Sequence, residues 1–172
     1  LNEVGDGNVI FFHDLNRQFA ALMVKHFNDK DLKNASRRLV KEEIARTNPE
    51  RGTIGNNVKI VNTREITNTV IQDDCEISGA SRLSDCTILS SEYASVYIGT
   101  GVICENSIIS DGSSIVNSVK MQDCFVGEAC QISNGFTASQ SVFFPHSFMA
   151  NGEHCAAFCG PFCASHHKSS LL

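Results

Sequence analysis

Ile71-Gln-Asp-Asp-Cys-Glu, Ile77-Ser-Gly-Ala-Ser-Arg, Leu83-Ser-Asp-Cys-Thr and then Ile88 read as segments of six, six and five residues, each opened by an aliphatic side chain. Seventeen residues earlier the same spacing runs through Ile54, Ile60 and Ile66. Downstream it runs through Ile109, Ile115 and Met121, then Val126, Ile132 and Ala138, then Phe143, Met149 and Cys155. One repeat is longer. Ile88 to Ile109 spans 21 residues, with the surplus in Ser90 to Tyr97, after which Ile98 and Cys104 resume the phase. The five-residue segments agree best: Ile66-Thr-Asn-Thr-Val, Leu83-Ser-Asp-Cys-Thr, Cys104-Glu-Asn-Ser-Ile, Met121-Gln-Asp-Cys-Phe and Ala138-Ser-Gln-Ser-Val. Their third place is Asn, Asp or Gln and their fourth Ser, Thr or Cys.

An amphipathic helix does not carry one apolar residue at every fifth or sixth position. A three-sided solenoid does: each side is a short strand, and each coil stacks on the next at roughly 4.8 Å. The expected fold is therefore mainly β, a parallel β-helix of 17-residue coils. Gly, Asn, Asp and Ser supply its corners. Three inward columns follow. The first is Ile54, Ile71, Ile88, Ile109, Val126 and Phe143. The second is Ile60, Ile77, Ile98, Ile115, Ile132, Met149 and His166. The third is Ile66, Leu83, Cys104, Met121, Ala138 and Cys155. The stretch from Ser90 to Tyr97 should bulge outward without disturbing them.

Upstream, residues 1–12 read as the end of an earlier coil, with a strand over residues 8–12. Residues 13–49 read as a helical hairpin, and residues 50–172 as the β-helix, cut in mid-repeat as in a fragment of a longer protein. Asp14 can cap a first helix presenting Leu15, Phe19, Leu22, Met23 and His26. Asn28 or Asp29 can start a second, with Leu32, Ala35, Leu39 and Ile44 facing inward, and Asn48-Pro49 stops it. The hairpin is expected to pack against the solenoid.

The 172 residues suffice for one domain with a real core. The net charge of −5 arises after residue 50: residues 1–50 balance eight acids with eight bases, and the rest carry eleven against six. No basic footprint for a nucleic acid is present, and no run is long enough to span a membrane. Most of the eight cysteines alternate in their columns with Ser, Thr, Ala or aliphatics, as small buried residues do. Free thiols imply a reducing, cytoplasmic compartment.

Ile54-Gly-Asn-Asn-Val, Ile98-Gly-Thr-Gly-Val and Val126-Gly-Glu-Ala-Cys resemble the hexapeptide-repeat superfamily of trimeric acyltransferases and related proteins, over about residues 54–172. The resemblance implies left-handed coiling and self-association as a trimer. It also implies acyl transfer from acyl-CoA or an acyl carrier to a sugar or nucleotide-sugar acceptor, with a His as general base. Gamma-class carbonic anhydrases share the fold, so a metal held by three His is an alternative; a non-catalytic scaffold or oligomerisation module is another. The whole segment looks closer still to an uncharacterised bacterial family, a domain of unknown function with a helical insert between hexapeptide stretches.

Four of the six histidines fall between His146 and His167. The candidate catalytic residues are His146, His166 and His167; the candidate substrate-binding residues are Asn134, Asn151, Phe144, Phe162 and Lys168. His154, Cys155, Cys159 and Cys163 are zinc-ligand types, but Cys-x3-Cys-x3-Cys is not a recognised zinc spacing, so no metal is expected there. Each histidine has a plainer role open to it, in the core or in solvent, and the nearby Phe side chains suit a pocket, an interface or a thickened core. His13 stands apart, before the helices.

Overall fold

The computed structural model describes residues 9–47, 49 and 52–167. Parallel pairing carries the first column unbroken from Ile54 through Ile71, Ile88, Ile109 and Val126 to Phe143. The second runs from Ile60 through Ile77, Ile98, Ile115 and Ile132 to Met149. The third runs from Ile66 through Leu83, Cys104 and Met121 to Ala138. Among the described residues the sides form three parallel sheets of seven, seven and six strands, a solenoid of about 17-residue coils. The column residues form its core, with Ile77, Leu83, Ile98, Ile109 and Ile115 fully enclosed.

The corners explain the Asn/Asp/Gln place. Asn68, Asp85, Asn106, Asp123 and Gln140 all have φ between 44° and 54°, the left-handed region that short polar side chains tolerate best. Their side chains link neighbouring coils: the Asn68 amide donates to Asp85 and the Asn106 amide to Asp123, each at 2.6 Å. One place later, the Ser107 hydroxyl accepts from the Cys124 amide at 3.1 Å, so a small polar residue satisfies the backbone inside the turn. The stretch from Ser90 to Tyr97 bulges outward as expected. The Val96 amide donates to the Ser90 hydroxyl at 3.0 Å, and Tyr93 stands 94% exposed.

Two column positions need correction. Ala138 pairs with His154, not Cys155, and Met149 pairs with Ser165, not His166. The side that begins at Met149 has five residues instead of six. The Thr137 amide donates to the Gly152 carbonyl as the Lys120 amide donates to that of Phe136, so Gly152 takes the corner place of Phe136. A Cβ there would lie 3.4 Å from the Phe136 ring. The buried Phe136 fills the corner, and the chain turns over it one residue sooner. Phe143 is then continued by Cys159, and both Cys155 and His166 lie outside the columns, exposed.

The hairpin consists of α1 (Arg17–Lys25) and α2 (Lys30–Thr47). Asn16, not Asp14, caps α1, its side chain accepting from the Phe19 amide at 2.9 Å. Asp29 caps α2 by accepting from the Asp31 and Leu32 amides. The inward row of α2 is Ser36 and Val40 with half-buried Glu43, whereas Ala35 is exposed and Leu39 and Ile44 are 53% and 38% exposed. The apolar pattern misplaced this helix because the small Ser36 and Val40 let it approach Ala20 and Met23 of α1, and Glu43 turns in to meet a histidine. Residues 9–12 carry no strand. They run along the outer face of the first sheet, where Val9, Phe12, Leu15 and Ala20 share an apolar cluster with Phe125, Val142 and Phe144. The expected hairpin-on-solenoid packing is thus present. No helix among the described residues is long and apolar enough to cross a membrane.

Candidate functional site

Docking the hairpin on the first sheet encloses two clefts. One, about 310 Å³, lies between Asn16, Arg17 and Gln18 on the hairpin side and Ser110, Gly127, Glu128, Phe144, Pro145 and Pro161 on the solenoid. The other, about 320 Å³, lies between Phe11, Ile44 and Thr47 and the solenoid residues Val70, Gln72, Thr87, Leu89 and Ile108. His13 lines both. Gly127 keeps the first cleft's wall close-packed: a Cβ there would stand 2.9 Å from the Pro145 ring.

The His13 ring lies edge-on to Phe12. Its Nε2 is 3.5 Å from both Glu43 Oε1 and Asp14 Oδ2. Arg46 grips Glu43, with Nη2 at 2.6 Å from Oε1 and Nε at 3.2 Å from Oε2. That hydrogen-bonded, charged guanidinium holds the Glu43 carboxyl below its ordinary value. Two carboxylates beside Nε2 favour the proton on that nitrogen and leave the lone pair on Nδ1. An imidazole so oriented is equipped to accept a proton. His13, Asp14 and Glu43 are also the only three metal-ligand types whose donor atoms converge within 4.8 Å among the described residues. Both Glu43 oxygens are already bound to a guanidinium, so a cation there would face Arg46 directly. The cluster suits an ion-paired base better than a metal cage.

The histidines singled out from sequence do not meet. His146 is exposed and stacks on Phe162, centroids 5.2 Å apart and rings 5° from parallel; Phe162 is 77% exposed. His166 stacks on Phe148 at 4.5 Å, and its carbonyl accepts from the Asn151 amide at 3.2 Å. His167 is exposed. Asn134 is an exposed corner whose side-chain oxygen accepts from Asn117 at 3.2 Å. Phe144, fully buried, lines the first cleft. Lys168 lies outside the described residues. Of the possible zinc ligands, His154 and Cys159 come together, Nδ1 to Sγ at 3.6 Å, with the His154 ring against Phe136 and Phe143. Burial pushes the Cys159 thiol up to about 12 and the His154 imidazole down, so both stay neutral. Cys155 is exposed, and Cys163 lies partly buried against the core.

Residues 1–172, the entire chain, match the sequence profile of a family described as a domain of unknown function, DUF4954. The chain belongs to that family. No curated protein matches it. Within this DUF4954 chain the candidate site that sequence reasoning passed over is His13 with Glu43. The adjacent His13-Asp14 pair just ahead of a helix was the available signal; the partnership with Glu43, thirty residues on, was not.

Proposed function

We propose that the chain carries a group-transfer site of the hexapeptide-repeat type. It moves an acyl group from a thioester donor, acyl-CoA or an acyl carrier, to a hydroxyl or amine of a sugar-type acceptor, with His13 as general base. One observation carries the reading: His13, backed by Glu43 and Asp14, is shared by two clefts, as a reaction joining two substrates requires. Nδ1 takes the acceptor proton while the acceptor atom attacks the thioester carbonyl. The C–S bond then breaks, and the thiolate leaves with that proton.

The test is incubation with acyl-CoAs and sugar or nucleotide-sugar acceptors, followed by mass spectrometry of the acceptor. An acylated acceptor, with turnover reduced about 10²- to 10⁴-fold in His13→Asn, is expected, since that is the usual contribution of a general base. Turnover that survives His13→Asn but not His146→Asn, or no acylation at all, overturns it.

A second reading, a β-helical oligomerisation module, is favoured by the first coil. Its inward residues Ile54 and Ile60 are 63% and 38% exposed, and among the described residues this coil pairs on one side only, leaving an edge that a second copy would cover. Light scattering tests it; a monomer at high concentration counts against it.

A further inference from the structure

A third cleft, about 480 Å³, runs along the corner where the five-residue sides turn, and shares Phe11, Thr87 and Ile108 with the second cleft. Asp85, Asn106, Asp123 and Gln140 line it, one from each of four successive coils. They form a row of polar side chains about 4.8 Å apart. Among the described residues much of their hydrogen-bonding capacity is unspent. Asp85 accepts from Asn68 and Ser84, and Asp123 from Asn106, whereas each carboxylate offers about four lone-pair sites. The Gln140 side chain makes no hydrogen bond among the described residues.

The lining selects by exclusion. Among the described residues it contains no Lys or Arg, and the hydrogen bonds from Asn68 and Ser84 hold the Asp85 carboxyl below its ordinary value, so an anion is repelled. Among the described residues no three metal-ligand atoms converge there, so those residues form no cation cage. A wholly apolar ligand would strip water from two carboxylates at high cost. Hydroxyl donors satisfy the row, and Phe11, half-buried, gives an apolar wall for the C–H face of a sugar ring. We propose that this trough binds an uncharged, hydroxyl-rich sugar chain. Its reacting end passes Phe11 into the second cleft and reaches His13. The acceptor role rests on the transfer reading above; the binding does not. The proposal names a neutral glycan and sets aside a nucleotide-sugar as occupant of the trough, because a diphosphate would lie among carboxylates.

The full chain is titrated with maltotriose, cellotriose and triacetylchitotriose at millimolar concentration by saturation-transfer NMR, with UDP-N-acetylglucosamine as the charged competitor. At least one neutral trisaccharide is expected to bind and not to be displaced by the nucleotide-sugar. Thr87→Arg, which fills the trough, and the milder pair Asp123→Asn with Gln140→Ala are each expected to weaken binding by about tenfold or more. No binding by any trisaccharide overturns the proposal, as does binding unchanged in whichever variants retain the wild-type circular dichroism. Sugar binding without acyl transfer would sink the transfer reading and leave the trough. Acyl transfer whose acceptor KM ignores these variants would do the reverse.

Discussion

Ile109 and Ile54 stand in one column, three coils apart, and differ in what covers them: Ile109 is fully buried, whereas Ile54 is 63% exposed. Replacing each by alanine removes the same three carbons. At Ile109 the lost transfer free energy is about 2.4 kcal/mol, from ~0.8 kcal/mol per buried methylene. The vacated space lies between two stacked coils that cannot close on it, and the cavity brings the expected cost to about 4 kcal/mol, within the range for such truncations. At Ile54 somewhat over a third of the transfer contribution applies and no enclosed cavity forms, so the expected cost is about 1 kcal/mol. Urea unfolding followed by circular dichroism reads both. With a slope of ~2 kcal/mol per molar, Ile109→Ala should lower the midpoint by about 2 M and Ile54→Ala by about 0.5 M. Equal losses would refute the stacked interior, as would a loss below about 1 kcal/mol at Ile109, because column position would then not govern burial.

Thiol labelling under native conditions should modify Cys155 first and Cys163 more slowly. The six buried cysteines, with Cys75 pushed up to about 12 and Cys86, Cys124 and Cys130 to about 11, should react only after unfolding. His154 is held below its ordinary value by burial, so the unfolded chain takes up its proton first as pH falls. Its contribution to stability is therefore complete above the unfolded value near 6.5 and is lost as pH drops through the folded one; His154→Leu should flatten the melting temperature against pH in that window. Gly127→Ala, whose new Cβ would meet Pro145 at 2.9 Å, should lower stability by about 1–3 kcal/mol, seen as a lower urea midpoint.

The interior of the solenoid was legible because each side needs one inward apolar residue, and that need repeats in sequence wherever Ile, Leu, Val or Met supplies it. Legibility failed where the apolar marker did. After Met149 the residues competing for the third column are His154 and Cys155, and for the second Ser165 and His166. None is aliphatic, so counting by seventeen ran on past a side shortened to five. The slip was decided by Phe136, whose bulk fills the corner beneath Gly152. α2 failed for the opposite reason. Leu39 and Ile44 are apolar but turned outward, because close approach to α1 and the inward demand of Glu43 outweighed their burial.

The candidate site was not legible because no local spacing encodes it: His13 and Glu43 belong to different parts of the hairpin, and both clefts exist only where the hairpin meets the first sheet. Yet the docking face itself is written in the outward positions. The residue preceding each member of the first column is Thr53, Val70 and Thr87 in the early coils, then Ile108, Phe125, Val142 and Phe158. A solvated side should alternate inward apolar with outward polar residues. Four apolar residues in succession on the outside therefore require a cover. The segment leading into the hairpin, with α1 behind it, covers three of them: Phe11 lies 6.4 Å from Phe125, and Phe125 in turn 6.0 Å from Phe144 at the wall of the first cleft, whereas Phe158 stays 39% exposed. The inward columns identify the scaffold, whereas the outward column on its apolar stretch identifies where the second layer sits. The edges of that layer, where helix and sheet part company, are where His13 finds both its carboxylates and its two clefts.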